Sequence, residues 1–378
     1  MATPKTCVQC GKCLDVCPLF KVTGREELTP RAKFFLDGLD SPDGLSKKDF
    51  KALAGLCLGC GRCEDNCPQN MSGPKLVSAL RSKSKDFTQT CWDLWLSNPE
   101  FIWPLASALS KFSPESLPEP IGSAKKRMGS LFAKSPANWA KLIPDLKLGD
   151  QKVMLFKGCV GSFARKDWAR KAEHFMDGLG LVRAAESDFA CCGSSYGSAG
   201  LLDRQAKARK FNVDVWKAAE CPLLIIFCTT CLKGLKEYSL DDFGGDVELL
   251  DKWQSSLTPL SSLLVDGDIT ILENRPEQVI YHKPCHAPVP DFDMMLVEKI
   301  AGDRLLPVQN DLCCGFGGIM QLGAPDLSKQ VGDYCADTLT KNGNAGAQIL
   351  TGCSACVIQL ATLTKDDFFT GHWLDILE

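Results

Sequence analysis

The sequence predicts an α+β multidomain chain, with a mostly helical N-terminal domain followed by two copies of one α/β unit built on parallel sheets. Three observations predict it. Two dense cysteine runs, Cys7–Cys17 and Cys57–Cys67, flank a polar, helix-compatible stretch. The later chain repeats itself. Val153-Met-Leu-Phe-Lys-Gly-Cys159 lines up with Val279-Ile-Tyr-His-Lys-Pro-Cys285, Asp188-Phe-Ala-Cys191-Cys192-Gly193 with Asp311-Leu-Cys313-Cys314-Gly315, and Cys228-Thr-Thr-Cys231 with Cys353-Ser-Ala-Cys356. Within each copy, short apolar runs alternate with helical stretches.

Four blocks follow in order. Residues 1–85 hold the two cysteine runs. Residues 86–150 contain only Cys91 and are rich in Pro, Trp and Phe; they read as a linker or helical partner-docking segment. Residues 151–256 and 277–378 are the two repeated units, joined by a linker over residues 257–276. Each unit opens with a buried strand. Helical stretches come next, such as Ala164–Leu179 and Leu201–Ala219. A second apolar run, Pro222–Phe227 or Ala347–Leu350, ends at a C-x-x-C. Strands alternating with helices predict a parallel sheet covered by helices. Cysteines at strand ends then converge at one sheet edge, where such folds place their sites.

Among 378 residues the net charge is −3, which favours neither nucleic acid nor an anionic membrane surface. The four histidines are too few for a histidine-based metal protein. The 21 cysteines are the unusual feature. Disulfides and metal ligation compete to explain them. Met1–Thr6 has no apolar signal region, and the cysteines come as C-x-x-C groups, so metal ligation in a reducing cytoplasm is expected. The most apolar stretch, Cys91–Phe112, is interrupted by Asp93, Asn98, Pro99, Glu100 and Pro104, so no bilayer span is expected.

The first block reads Cys7-x2-Cys10-x2-Cys13-x3-Cys17-Pro18 and then Cys57-x2-Cys60-x2-Cys63-x3-Cys67-Pro68. This is the spacing of two-cluster ferredoxins. Two-residue gaps let three thiolates wrap one face of a cubane, and Gly11 and Gly61 let the backbone approach it. The fourth cysteine crosses to the other cluster. One [4Fe–4S] cluster is therefore assigned to Cys7, Cys10, Cys13 and Cys67, the other to Cys57, Cys60, Cys63 and Cys17. Zinc knuckles would also use four thiolates each, but the twice-repeated C-x2-C-x2-C-x3-C-P pattern favours iron–sulfur clusters.

The repeated units carry Cys159, Cys191, Cys192, Cys228 and Cys231, and Cys285, Cys313, Cys314, Cys353 and Cys356. Each set has one thiol more than a cubane needs. Adjacent strand residues point to opposite faces, so a Cys-Cys pair serving one site requires a turn, for which Gly193 and Gly315 are placed. These residues resemble the CCG-domain family, which includes heterodisulfide reductase subunits and the iron–sulfur subunits of glycolate, lactate and glycerol-3-phosphate dehydrogenases. The order of parts resembles the D subunit of heterodisulfide reductase over nearly the whole chain. The stretch Cys17–Arg31 further resembles the corresponding stretch of glycolate and lactate oxidase iron–sulfur subunits. The resemblance implies one or two further [4Fe–4S] clusters, of cubane or non-cubane type, held by the ten module cysteines. The complete C-x-x-C in both modules leans toward the disulfide-reductase type. Structural thiols or zinc in one module stay open as the alternative.

Smaller features have two readings each. His282 and His286 flank Cys285 and could hydrogen-bond a thiolate, or serve as core histidines. Lys157 and Lys283 could place a cation near the first ligand, or sit exposed at strand ends. Cys91, Cys221 and Cys335 lie outside every motif and are expected to be buried free thiols. Trp92, Trp95, Phe101, Ile102, Trp103, Leu105, Leu109 and Phe112 read as a linker helix packed on the α/β units, or as a partner surface if exposed; the basic segment after them, Ile121–Pro144, could meet lipid headgroups. No dinucleotide fingerprint or phosphate loop occurs, and Gly315-Phe-Gly317-Gly318 has the wrong spacing, so no flavin or nucleotide is expected on this chain.

The expected function is an iron–sulfur electron-transfer subunit of a multi-subunit anaerobic respiratory complex, with no catalytic residue assigned. Its partner would be a flavoprotein 2-hydroxy-acid dehydrogenase or a membrane quinone or cytochrome module. The alternative is a catalytic subunit that reduces a disulfide at a CCG-bound cluster. A cytoplasmic location is expected, peripheral on the inner membrane face through a partner, with no nucleic acid bound.

Overall fold

The computed structural model describes residues 6–37, 53, 55–83, 86–112, 121–132, 137–145, 148–149, 151–184, 189–309, 311–364 and 367–378. The first block is helical where described. Short helices Lys12–Asp15 and Arg62–Asp65 follow Gly11 and Gly61, and Pro18–Thr23, Pro30–Asp37 and Gly73–Ser82 pack around them. Of the helices expected between the two cysteine runs, the portion over 38–52 lies outside the described residues.

Helices Phe87–Ser97, Pro99–Phe112 and Ile121–Leu131 follow. The first starts at a capping box: Asp86 Oδ1 accepts from Gln89 N–H at 2.9 Å, and Gln89 Oε1 accepts from Asp86 N–H at 2.9 Å. The buried Gln89 amide also donates to the Arg81 and Ala199 carbonyls, tying this helix to the first block and to the first repeat. The second helix is apolar on its outer face. It buries Trp103, Ser107 and Ser110 while Phe101, Leu105 and Leu109 stay exposed. Part of the basic segment Ile121–Pro144, Lys134 included, lies outside the described residues.

Among the described residues, nine strands make the α/β body: β1 (Ala140–Ile143), β2 (Lys152–Phe156), β3 (Val182–Arg183), β4 (Leu223–Ile226), β5 (Leu257–Pro259), β6 (Asp268–Ile271), β7 (Val279–Tyr281), β8 (Gln348–Thr351) and β9 (Phe369–His372). The first repeat is a parallel sheet in the order β3-β2-β4-β5 and the second in the order β7-β8-β9. A parallel bridge from Val279 to Leu305 supplies the counterpart of β3, so the two copies share one topology. Runs such as Leu223-Leu-Ile-Ile226 suit strands covered on both faces by helices. Helix Lys166–Gly178 supplies one cover. It buries Trp168, Ala169, Ala172, Phe175 and Met176, the stripe of an amphipathic helix.

Two boundaries differ from the sequence reading. Residues 257–276 are not a linker: β5 completes the first sheet, and β6 pairs antiparallel with β1. Pro259 hides β5 from pattern recognition, yet proline is tolerated because β5 is an edge strand. Residues 140–143, expected in the linker segment, likewise belong to the body. One hydrophobic core runs under both repeats, from Trp139 and Trp168 to Tyr281 and Trp373.

The C-terminal turn Trp373–Ile376 fastens the second repeat onto the first. Asp375 accepts from Arg165 at 2.9 Å, from Trp168 Nε1 at 2.5 Å and from the His372 N–H at 2.7 Å. Lys171 Nζ donates to the Leu374 and Asp375 carbonyls. Asp375→Ala leaves the buried Arg165 without this carboxylate, and a cost of about 3–5 kcal/mol is expected as a lower thermal midpoint.

His372 is fully buried; Nε2–H donates to the Phe227 carbonyl and Nδ1 accepts from Leu374 N–H. Burial holds its pKa down to about 4. The unfolded ring titrates near 6.5, so the stability it contributes is complete above that pH and is lost as pH falls through the folded value, by roughly 3 kcal/mol. Thermal unfolding followed from about pH 7 to about pH 4 should show a shallower decline for His372→Gln than for the wild type; parallel curves would count against the assignment.

Candidate metal centres

The local backbone of each cysteine run is set by a glycine. Gly11 (φ +81°) and Gly61 (φ +77°) adopt the left-handed conformation at the starts of their short helices. Cys17 precedes Pro18, which opens helix Pro18–Thr23. One cavity is lined by Cys7, Cys10, Cys13, Cys63 and Cys67. A neighbouring one is lined by Cys17, Cys57, Cys60 and Cys63. The fourth cysteine of each run thus sits with the first three of the other.

In the repeats, the ten cysteines gather at the carboxyl ends of strands. Cys159 follows β2 and Cys228 follows β4; Cys285 follows β7 and Cys353 follows β8. β2 and β4 are adjacent, as are β7 and β8, so each pair of strands delivers its cysteines to one sheet edge. The Cys-Cys pairs reach the same place through turns at Gly193 (φ +90°) and Gly315 (φ +77°). At Gly315 a Cβ would stand 2.4 Å from the Ser328 carbonyl, so glycine is required twice over.

The thiols form two groups in contact. The Cys191 thiol interacts with those of Cys159 and Cys192, Cys192 with Cys231, and Cys231 with Cys228, all as free thiols. The Cys313 thiol interacts with those of Cys285 and Cys314, Cys314 lies 3.2 Å from Cys356, and Cys356 interacts with Cys353. The groups meet where the Cys228 thiol stands beside that of Cys353. Thr229 N–H donates to the Gly352 carbonyl at 2.9 Å across the same junction. The second group also meets the first block, where the Cys313 thiol stands beside that of Cys60.

Electrostatics at these groups is that of thiols crowded in a low-dielectric interior. Burial pushes Cys17 and Cys63 up. Hydrogen bonds from Cys191, Cys231 and Cys313 hold Cys192, Cys228 and Cys314 well down, helped by Ser194, Ser354 and His282 respectively. The same bonds push their partners up, because neighbouring thiolates cannot all ionise without a cation between them. A multivalent metal assembly removes that conflict by deprotonating every thiol it binds. Four or five converging thiols per site are the donor set that iron–sulfur clusters use.

Other predicted residues divide. His282 is fully buried, with a ring nitrogen within 4.8 Å of Cys314 and Cys356. His286 bridges blocks instead: Nε2–H donates to the Gly59 carbonyl at 3.2 Å and Nδ1 faces Thr230 Oγ1 at 3.2 Å. Lys157 pairs with Glu173 at 3.1 Å, which offsets its charge. Lys283 lines a cleft of about 510 Å³ together with Lys21, Arg62, Cys285 and Cys313. Of the cysteines outside the motifs, Cys335 is buried, whereas Cys91 and Cys221 are only half-buried. The sequence reading missed Lys33. It is buried, donates to the Leu28 carbonyl and stands among Cys57, Cys17 and Cys63; burial lowers its pKa. A lysine near the start of a short helix reads as solvated, so no local signal marked it.

The family model described as a 4Fe-4S dicluster domain matches residues 4–71. The model described as a cysteine-rich domain, CCG, matches residues 153–236 and again 279–361. The chain is a CCG-domain iron–sulfur protein. This CCG-domain protein is 24% identical to the glycolate oxidase iron–sulfur subunit of Escherichia coli, over 99% of its own length and 93% of the relative's. It is 23% identical to the D subunit of the dihydromethanophenazine:CoB–CoM heterodisulfide reductase of Methanosarcina acetivorans, over 93% and 87%. It is also 23% identical to the B subunit of the CoM/CoB fumarate reductase of Methanothermobacter marburgensis, over 98% and 71%.

Gly158 tests the first module separately. It has φ +65°, and a Cβ there would lie 2.8 Å from Cys231 Sγ. Gly158→Ala is expected to cost about 1–2 kcal/mol of backbone strain and to displace Cys231. Iron analysis should then show one cluster's iron lost, with the dicluster signals intact.

Proposed function

We propose that this chain is the iron–sulfur electron-transfer subunit of a multi-subunit redox complex. Cys7, Cys10, Cys13 and Cys67 hold one [4Fe–4S] cluster, and Cys57, Cys60, Cys63 and Cys17 hold a second. The thiols of the second repeat (Cys285, Cys313, Cys314, Cys353, Cys356) and of the first (Cys159, Cys191, Cys192, Cys228, Cys231) hold one each. One observation carries this reading: the four thiol groups form a continuous series, joined at Cys63, which lines both dicluster cavities, at Cys60–Cys313 and at Cys228–Cys353. Clusters seated there supply one-electron steps, and the second repeat, not the first, is next to the dicluster domain along these sulfur contacts.

Two partner classes belong to this reading: a flavoprotein 2-hydroxy-acid dehydrogenase, supported by the likeness to a glycolate oxidase iron–sulfur subunit, and a membrane quinone or cytochrome module, supported by the likeness to a heterodisulfide reductase D subunit. Among the described residues no helix is long and apolar enough to cross a membrane; in this reading the chain sits on the inner membrane face through a partner. The exposed face of Phe101, Leu105 and Leu109 is the surface that suits such a partner. A second reading, disulfide reduction at the second repeat's cluster, is favoured by the cleft that reaches Cys285 and Cys313.

Anaerobically purified protein is expected to contain about sixteen irons, four per cluster. A value near eight would empty the repeats and sink the relay. Co-purification of a flavoprotein selects the first partner class, and a haem-bearing or membrane protein the other. Reduction of a disulfide by the isolated chain with an artificial donor selects the catalytic reading.

A further inference from the structure

We propose that His282 donates a ring N–H to the sulfur of Cys314 and thereby raises the reduction potential of the cluster in the second repeat. The proposal rests on the reading above that this repeat holds a cluster.

His282 directly follows β7, and its backbone N–H donates to the Leu350 carbonyl at 2.8 Å, which fixes its place. The side chain is fully buried. Among the described residues its ring nitrogens make no hydrogen bond to oxygen or nitrogen. Nε2 has no oxygen or nitrogen partner, and Nδ1 lies 3.8 Å from the Cys335 sulfur. A neutral imidazole always carries one N–H, and leaving a buried donor unsatisfied costs about 1–3 kcal/mol. The acceptors within reach are sulfurs. A ring nitrogen, Cys314 Sγ and Cys356 Sγ lie within 4.8 Å of one another. A thiolate bound to iron keeps lone pairs and negative charge, so it accepts such a bond better than a thiol.

The repeat provides an internal comparison. The residue equivalent to His282 is Phe156, which is buried and has no donor. Packing at this position therefore needs no imidazole. In the first repeat Cys192, the counterpart of Cys314, has Ser194 Oγ at 3.4 Å instead. Hydrogen bonds to cluster sulfurs withdraw charge and favour the reduced state. His282 therefore sets the driving force for the step across Cys60 and Cys313, where the dicluster domain meets this repeat.

The test is a redox titration of the full anaerobic protein, followed by spin resonance. His282→Phe copies Phe156. It should shift the reduction equilibrium of one cluster about tenfold toward the oxidised form, a fall of about 59 mV for one electron, with the other signals unmoved. His282→Gln keeps an N–H donor and should recover most of that shift. A full set of clusters with an unmoved midpoint in His282→Phe overturns this inference alone. Loss of one cluster in both variants makes His282 a ligand and overturns it as well. Wild-type protein with only two cluster signals overturns the cluster reading of the repeats, and this inference with it.

Discussion

Two C-x-x-C loops pressed against each other hold the centre of this molecule. Each leaves the carboxyl end of a parallel strand, β4 or β8, and the Thr229 N–H donates to the Gly352 carbonyl where they touch. Cys228 then stands beside Cys353, and Thr230 Oγ1 lies 3.1 Å from the Cys353 sulfur. For this contact to form, both sheets must aim their carboxyl ends at one seam. That requirement brings the two Cys-Cys turns to the same seam. The C-terminal turn, bonded to Arg165, Trp168 and Lys171 of the first repeat, holds the two sheets in that orientation.

The first block is held against the seam by polar contacts. Arg81 donates to carbonyls of Gly55 and Cys57 in its own block and of Ser198 in the first repeat. His286 of the second repeat reaches the Gly59 carbonyl, inside the second cysteine run. Gly200 allows the approach, since a Cβ there would lie 2.6 Å from Arg81 Cβ. Such ties fix Cys60 beside Cys313, and electron transfer between fixed centres needs that constancy of position.

Duplication supplied two sites of the same plan, and local substitutions then made them unequal. Ser194 serves Cys192 in one copy, and His282 stands by Cys314 in the other. Lys33 adds a buried cation among Cys57, Cys17 and Cys63. Charge and hydrogen bonding near sulfur are the protein's means of separating the potentials of chemically similar clusters.

Much of this was legible without coordinates. Cysteine spacing is covalent and local, so the ligand candidates and the turns at Gly193 and Gly315 could be read from the chain itself. Apolar runs ending at cysteines likewise foretold parallel strands with thiols at their carboxyl ends. What only the tertiary structure decided is which thiol group borders which. The Cys60–Cys313 and Cys228–Cys353 contacts, the membership of Leu257–Pro259 in the first sheet, and the places of Lys33 and His282 all join residues far apart in sequence. No local pattern encodes them, because they arise from packing two sheets and a helical block around one seam.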